Sequence, residues 1–323
     1  MRSPDRNIGW IWLGISIILL VGCSKGKDIT DVEENALLKN LQVAIFADAV
    51  HADSLRKNVL WLQGYNSRFF LHDNRKLIAT DIKNRFVRLG YLNARIDSFF
   101  LTVTWSGKVY STWQYNVVAR LEGKTTPGKV YLIGAHYDSY SPDPFVNAPG
   151  ADDNASGVSA IVEIARIFKK QGFVPKNSIE FVAFAAEEIG LKGSFDYAVR
   201  AAANQVNIAA MLNLDMISYA PDTNQDSWIV NVMNYDNSSE LQAQIATCGR
   251  LYSKLIFVNN NTNNKRGDSF SYYQNGFKAA FIISEFYTDP YYHTVNDVAD
   301  QYNYLYCREV VAVSCAFLVQ ENR

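Results

Sequence analysis

The sequence predicts an α/β fold in three layers, with helices packed on both faces of a mostly parallel sheet. Three observations predict it. From residue 115 onward, β-rich runs alternate with stretches whose apolar residues recur at helical spacing. One of those runs, SIEFVAFAA, is apolar along most of its length and reads as a buried strand. No linker-like tract interrupts the alternation, so residues 37–323 are expected to form one domain.

The elements follow in order. Arg2 and Arg6 precede an apolar run from Ile8 to Val21 that ends in Leu20-Val21-Gly22-Cys23. That run falls short of the roughly 20 residues a membrane-spanning helix needs. With its basic start and small terminal residues it reads as a secretory signal. The Leu-Val-Gly-Cys ending resembles the lipobox of bacterial lipoproteins. This implies a signal peptide over residues 1–22 and an acylated Cys23 as the mature N-terminus. The protein would then be exported and anchored to a lipid membrane outside the cytoplasm, on the periplasmic or cell-surface side. Residues 23–36 are polar and read as a tether. Residues 37–90 carry helical spacing (Leu60, Leu62, Ile78, Ile82, Phe86, Leu89), and residues 37–114 are expected to hold a helical lead-in and a first strand. The catalytic core is expected over residues 115–320. Its strands are 115–121, 129–135, 178–186, 208–214, 228–233 and 278–284. Its helices are 156–170, 193–203, 241–254 and a terminal one from Tyr304.

Charge excludes one class of partner. The net charge is −1 and no dense Lys/Arg run exists, so nothing favours nucleic acid. Cys307 and Cys315 stand eight apart in the expected terminal helix, about 12 Å along its axis. Cysteines that far apart cannot pair, since a disulfide needs Cα atoms within about 7 Å. With Cys248 they read as buried thiols, and no Cys spacing indicates a Cys-ligated metal.

Chemistry is expected where functional groups collect in open α/β sheets, just beyond the C-terminal ends of strands. Three strands end in residues able to bind a metal. KVYLIGA is followed by His136-Tyr137-Asp138, SIEFVAFAA by Glu187-Glu188, and IAAMLNL by Asp215. The loop around Asp152 and Asp153 adds two carboxylates before a helix, and Tyr291-Tyr292-His293 adds an imidazole. Asp138, two residues past His136, could orient its ring. The other histidines, His51 and His72, read as structural. No G-x-S-x-G elbow surrounds any serine, so a serine hydrolase finds no support.

The motifs AHYDS, PGADDNASGV, AAEEIGLKGS, NLDMI and YYHTVND occur in that order. Over roughly residues 115–320 they resemble the co-catalytic zinc aminopeptidases of peptidase family M28. That family also includes glutamate carboxypeptidases and glutaminyl cyclases. The resemblance implies a mostly parallel, mixed central sheet of the zinc-dependent exopeptidase type, with Phe70 to Gly90 as its helical lead-in. It also implies two Zn²⁺ ions per chain. His136 and Asp215 would hold one, Glu188 and His293 the other, and Asp153 would bridge them. Glu187 would be the general base, Asp138 the carboxylate orienting His136, and Asp153–Asn154 a cis peptide bond. Charge agrees with these roles. Asp153, Glu188 and Asp215 offset three of the four positive charges, and a bridging hydroxide the fourth. Zinc lowers the pKa of its water to about 7, supplying a nucleophile for peptide substrates.

The resemblance further implies that Tyr292 donates a hydrogen bond to the tetrahedral intermediate and that Arg266 contacts the substrate backbone. Gly267-Asp268-Ser269 stands where the family pattern is closer to Ser-Asp-His. Met216, Phe277, Phe286 and Tyr287 are candidates for an apolar side-chain pocket. Asp152 is expected to set its loop or cap the following helix. The expected function is metal-dependent cleavage of N-terminal residues from peptides. Two alternatives share the fold: a glutaminyl cyclase with one zinc, and a carboxypeptidase, which needs a basic pocket that only Lys265 and Arg266 offer.

Overall fold

Eight strands join into one sheet in the order β1-β2-β4-β3-β5-β8-β6-β7. The computed structural model describes residues 40–260, 263–284 and 289–323. The expected signal peptide, the tether, Cys23, Phe286 and Tyr287 lie outside the described residues. Within Lys39–Arg323 the chain forms one unit.

The lead-in is helical, as its apolar spacing requires, but in three pieces: α1 (Leu41–Asp48), α2 (Ala52–Gln63) and α3 (Arg75–Arg88). Asn40 opens the first by accepting the Gln42 and Val43 amides that a helix start leaves unpaired. A hairpin follows, β1 (Arg95–Trp105) and β2 (Lys108–Leu121), turning at Ser106-Gly107, both with positive φ. The expected first strand within residues 37–114 is β1, and β2 begins seven residues before the run read from Tyr115. The earlier half of β2 pairs with β1 alone, because β4 reaches only Val117–Leu121. That half therefore lacks the burial that marks the inner strands.

The remainder alternates: β3 (Thr126–His136), α4 (Gly157–Lys170), β4 (Asn177–Phe184), α5 (Lys192–Ala203), β5 (Asn207–Leu214), β6 (Ile229–Asn234), α6 (Ser239–Tyr252), β7 (Ile256–Val258), α7 (Asp268–Gln274), β8 (Ala279–Ile283) and α8 (Tyr304–Asn322). β4, β3, β5 and β8 run parallel to one another, whereas β1/β2, β2/β4 and β6/β8 pair antiparallel. The sheet is thus mixed, with its parallel part at the centre. β7 and α7 are too short for periodicity to reveal, and the sequence reading omits them.

Helices cover both faces. One apolar core gathers α2, α3, α4 and α8, and a second gathers α5 and α7 with Val118, Leu132, Val182 and Met211. The lead-in closes over α4: Ser159 Oγ donates to the Leu55 carbonyl at 2.9 Å, and Glu163 accepts from the His51 amide and Ser54 Oγ. Hence α4 is buried on its outer side too. Truncating fully buried Ile164 to Ala should cost about 2–5 kcal/mol. Cys248, Cys307 and Cys315 are buried free thiols. Among the described residues, no helix is long and apolar enough to cross a membrane.

Candidate metal centre

The chain passes from β3 to β4 on one side, then crosses to β5 on the other. It leaves a crevice at the C-terminal ends of these strands, where α/β sheets bind ligands. His136 is the last residue of β3, Glu187 and Glu188 lie just past β4, and Asp215 directly follows β5. Asp153 comes from a six-residue turn, Ala151–Ser156, that feeds α4, and its peptide bond to Asn154 is cis. His293 reaches in from the loop before α8.

These residues converge as two triads that share Asp153: His136, Asp153 and Asp215, then Asp153, Glu188 and His293. His136 Nε2 lies 3.2 Å from Asp153 Oδ1 and 3.3 Å from Asp215 Oδ1. His293 Nε2 lies 3.1 Å from Asp153 Oδ2 and 2.8 Å from Glu188 Oε2. Donors around a tetrahedral zinc, each about 2.1 Å from it, stand about 3.4 Å apart. Among the described residues the buried atoms Glu188 Oε1, Asp215 Oδ1 and His293 Nε2 have no hydrogen-bond partner, although buried polar groups normally find one. Nitrogen and carboxylate donors, closely spaced and left unpaired, fit zinc.

Electrostatics says the same. Burial raises Glu187 well above the ordinary carboxyl range, with Asp268, Glu188 and Asp215 adding to it against the pull of His136. Burial and the Asp153 charge push Glu188 up to about 8. Burial opposes a charge on His293, yet Asp153 and Glu188 outweigh it and hold the ring at about 10. Burial would raise Asp153 as well, but the two imidazoles overcome it and hold that carboxyl below its ordinary range. Excess negative charge that pulls in protons is a place for cations.

Comparison with known proteins matches residues 116–318 to the model of Peptidase family M28. The chain belongs to peptidase family M28. A probable aminopeptidase of Saccharomyces cerevisiae, YDR415C, is 32% identical over 216 residues, which is 64% of this chain and 57% of that protein. The chain thus spans little more than half of that relative. It spans 22–27% of three fungal proteins described as probable zinc metalloproteases. Among solved structures, LapB of Legionella pneumophila superposes with a TM-score of 0.74 at 24% identity, covering 92% of this chain and 82% of that one. BSAP, a zinc aminopeptidase from Bacillus subtilis, gives 0.71 at 15% over 85% and 96%. A glutaminyl cyclase from Fimbriiglobus ruber gives 0.66 at 15% over 84% and 95%. These structures share the fold.

Around the M28 centre, main chain and side chains interlock. Asp138 meets His136 with its main chain and its carboxylate. His136 Nδ1 lies 3.1 Å from the Asp138 carbonyl, while the carboxylate stands 3.7 Å away and accepts the Glu187 and Glu188 amides at 3.0 and 3.2 Å. One residue therefore supports the ends of both β3 and β4. Asn154 Nδ2 donates to the Leu214 carbonyl and its Oδ1 accepts the Gly157 amide, tying the turn to Asp215. A Cβ at Gly157 would stand 2.3 Å from that same carbonyl. Asp152 does not cap α4. It is buried and accepts from the amide and hydroxyl of Ser218, setting the loop. Ser156 Oγ donates to the Asp152 carbonyl at 2.7 Å, a contact internal to the turn. Ala186, Met216 and His293, each at or beside a site residue, hold positive φ (57°, 51° and 57°), a conformation non-glycine residues seldom adopt away from functional sites.

Beside the carboxylates is a small pocket lined by Met216, Phe281, Ile283, Arg266 and Tyr292. Met216, Arg266 and Tyr292 thus line one pocket beside the carboxylates. Phe277 does not, because it packs on Tyr272 in the α5/α7 core. Sequence reasoning missed Phe281 and Ile283, although β8's alternation after Ala279 turns both the same way. It also missed Asp268, whose two buried oxygens have no hydrogen-bond partner among the described residues. His51 and His72 stay structural: His51 starts α2, and His72 Nδ1 accepts from the Asn74 amide.

Proposed function

We propose that this chain is a two-zinc aminopeptidase that removes N-terminal residues from peptides. The sharing of Asp153 by two donor triads carries the reading, because it supports two ions where a cyclase uses one. His136, Asp153 and Asp215 would hold one zinc, and Asp153, Glu188 and His293 the other. Zinc held there would supply Lewis acidity, which brings the pKa of water to near 7. Glu187 takes the proton from the attacking water and passes it to the departing amine. Its Oε2 stands 4.0 Å from His136 Nε2 and its side chain is 11% exposed, so it faces the ligands while remaining reachable. The Tyr292 hydroxyl donates to the oxygen that gains charge. Met216, Phe281 and Ile283 form the wall against which an apolar N-terminal side chain rests, and Arg266 lies at the rim. We read Cys23 as the lipid anchor that keeps the enzyme on a membrane outside the cytoplasm.

The test is release of N-terminal residues from a panel of peptides by purified protein, abolished by a chelator and restored by zinc. Two zinc ions per chain and faster release of apolar than acidic residues are expected. One ion per chain with cyclisation of N-terminal glutamine would select the cyclase. Release from the carboxyl end would select a carboxypeptidase.

A further inference from the structure

Two buried charged side chains grip the stretch of backbone that carries Asp153, one through its carbonyls and the other through its amides. Arg68, between α2 and α3, is 1% exposed. Its Nε donates to the Tyr137 carbonyl at 2.7 Å, Nη1 to Pro149 at 2.6 Å and Nη2 to Gly150 at 2.7 Å. Nη1 makes a longer contact of 3.4 Å to the Leu62 carbonyl. Asp297, in the loop before α8, is 2% exposed. Its Oδ1 accepts the Asp152 amide at 2.8 Å and its Oδ2 the Asp153 amide at 3.2 Å, while its own carbonyl accepts the Ala151 amide at 3.0 Å. Tyr302 fixes that carboxylate by donating to Oδ1 at 2.7 Å. Every residue from Pro149 to Asp153 is therefore held through its main chain by one of two residues.

The chemistry needs these side chains in particular. Three carbonyls pointing at one spot call for a planar fork of donors, which arginine has and lysine lacks. Two adjacent amides call for two acceptor oxygens at once. Close approach also needs Gly150: a Cβ there would stand 2.7 Å from Arg68 Nη2 and 2.4 Å from the Asp153 carbonyl, and its φ is +52°. Burial works against the Arg68 charge, and among its acidic neighbours Asp297 does most to restore it.

We propose that Arg68 and Asp297 are positioning residues for metal binding, which clamp the backbone of Pro149–Asp153 so that the Asp153 carboxylate faces both imidazoles before any ion arrives. The ordering of that loop is then settled in folding and does not weaken metal binding. Arg68 lies outside the residues that match the family model, so the helical lead-in becomes part of the metal site. The inference rests on the zinc site proposed above.

Zinc affinity of the full chain, measured by competition with a chromophoric chelator, tests it. The variants are Arg68→Lys, Arg68→Met and Asp297→Asn, with circular dichroism to establish folding. Each should bind zinc about 10–100-fold more weakly, the usual effect of losing a group that supports a ligand. With zinc saturating, KM should stay within about twofold of the parent, since nothing that touches substrate has changed. Arg68→Lys keeps the charge but loses the fork, and should fail as Arg68→Met does. Val59→Ala, in the core of α2, should lower the melting temperature without moving zinc affinity. Folded Arg68→Lys and Asp297→Asn proteins with parental affinity would overturn the clamp and leave the zinc site standing. If Arg68 variants do not fold, Asp297→Asn decides alone. A parent chain that binds no zinc would overturn the site reading and the clamp with it.

Discussion

The two halves of the centre share Asp153 but are built differently. In the first, His136 is the last residue of β3 and Asp215 follows β5, on neighbouring strands in the parallel part of the sheet, and His136 is 1% exposed. In the second, Glu188 stands past β4, but His293 sits on a loop, at positive φ, and is 29% exposed. The His293 ring is held by aromatic contacts: Tyr292 stacks on it at 3.8 Å and Tyr140 meets it edge-on at 5.1 Å. A sheet end fixes a ligand through its ladder of hydrogen bonds, whereas a loop must borrow rigidity from neighbours. The first half should behave as the anchor and the second as the adjustable partner.

Glu187 belongs to neither triad, and its loss should separate chemistry from binding most sharply. Glu187→Ala should lower kcat about 10³–10⁴-fold, near the top of what a general base contributes, while two zinc ions stay bound. Activity near the parent in that variant, in protein of known zinc content, would remove Glu187 from the mechanism. Within the triads, His293→Ala should leave about one zinc per chain, and stepwise chelation of the parent should release the ion of the Glu188/His293 half first. A His136→Ala protein that keeps both ions, or simultaneous release of the two, would erase the distinction between the halves.

How much of this was legible beforehand follows the same division. His136, Glu187, Glu188 and Asp215 could be read because a strand's end is visible in sequence as the point where an apolar run stops. His293 had no strand to mark it, so its imidazole was noticed but its assignment to an ion came from the YYHTVND resemblance. Arg68 and Asp297 could not be assigned at all. Their partners are main-chain amides and carbonyls of a loop about 80 and 145 residues away, and backbone groups leave no residue-specific signal. Phe277 shows the converse: an aromatic just before β8 packs on Tyr272 in the α5/α7 core, and residue type alone does not tell a pocket aromatic from a core one. The hairpin's outer half was illegible for want of a second neighbour to bury it.

Acidity offers a smaller test of the same contrast. In metal-free protein His293 is raised from 6.5 to about 10, so its contribution is complete below pH 6.5 and is lost as pH climbs toward 10. Glu188 is raised from 4.5 to about 8, so its protonated form favours the fold at low pH, and that help is lost as pH rises through 8. Both act in one direction. Calorimetry of chelated protein should show a melting temperature that falls between about pH 6 and 9. Zinc displaces these protons, so its stabilisation should grow over the same range. A chelated protein that becomes more stable toward pH 9 would contradict the assignment.

Tyr292 gives the finest distinction, because its ring and its hydroxyl have different duties. The ring stacks on His293, and the hydroxyl is the proposed donor to the developing oxyanion. Removing such a donor from a closed site costs about 10²–10³ in rate. Tyr292 is 44% exposed, so water can replace much of what its hydroxyl supplies. Tyr292→Phe should therefore lower kcat about 10-fold with KM and zinc content unchanged. Tyr292→Ala should add a loss of zinc from the second half alone, because His293 loses its stacking surface. If both variants lose zinc equally, the hydroxyl holds the imidazole in place and has no part in the reaction. If neither does, the loop half is rigid by some means other than its aromatic neighbours, and the contrast between the halves reduces to exposure.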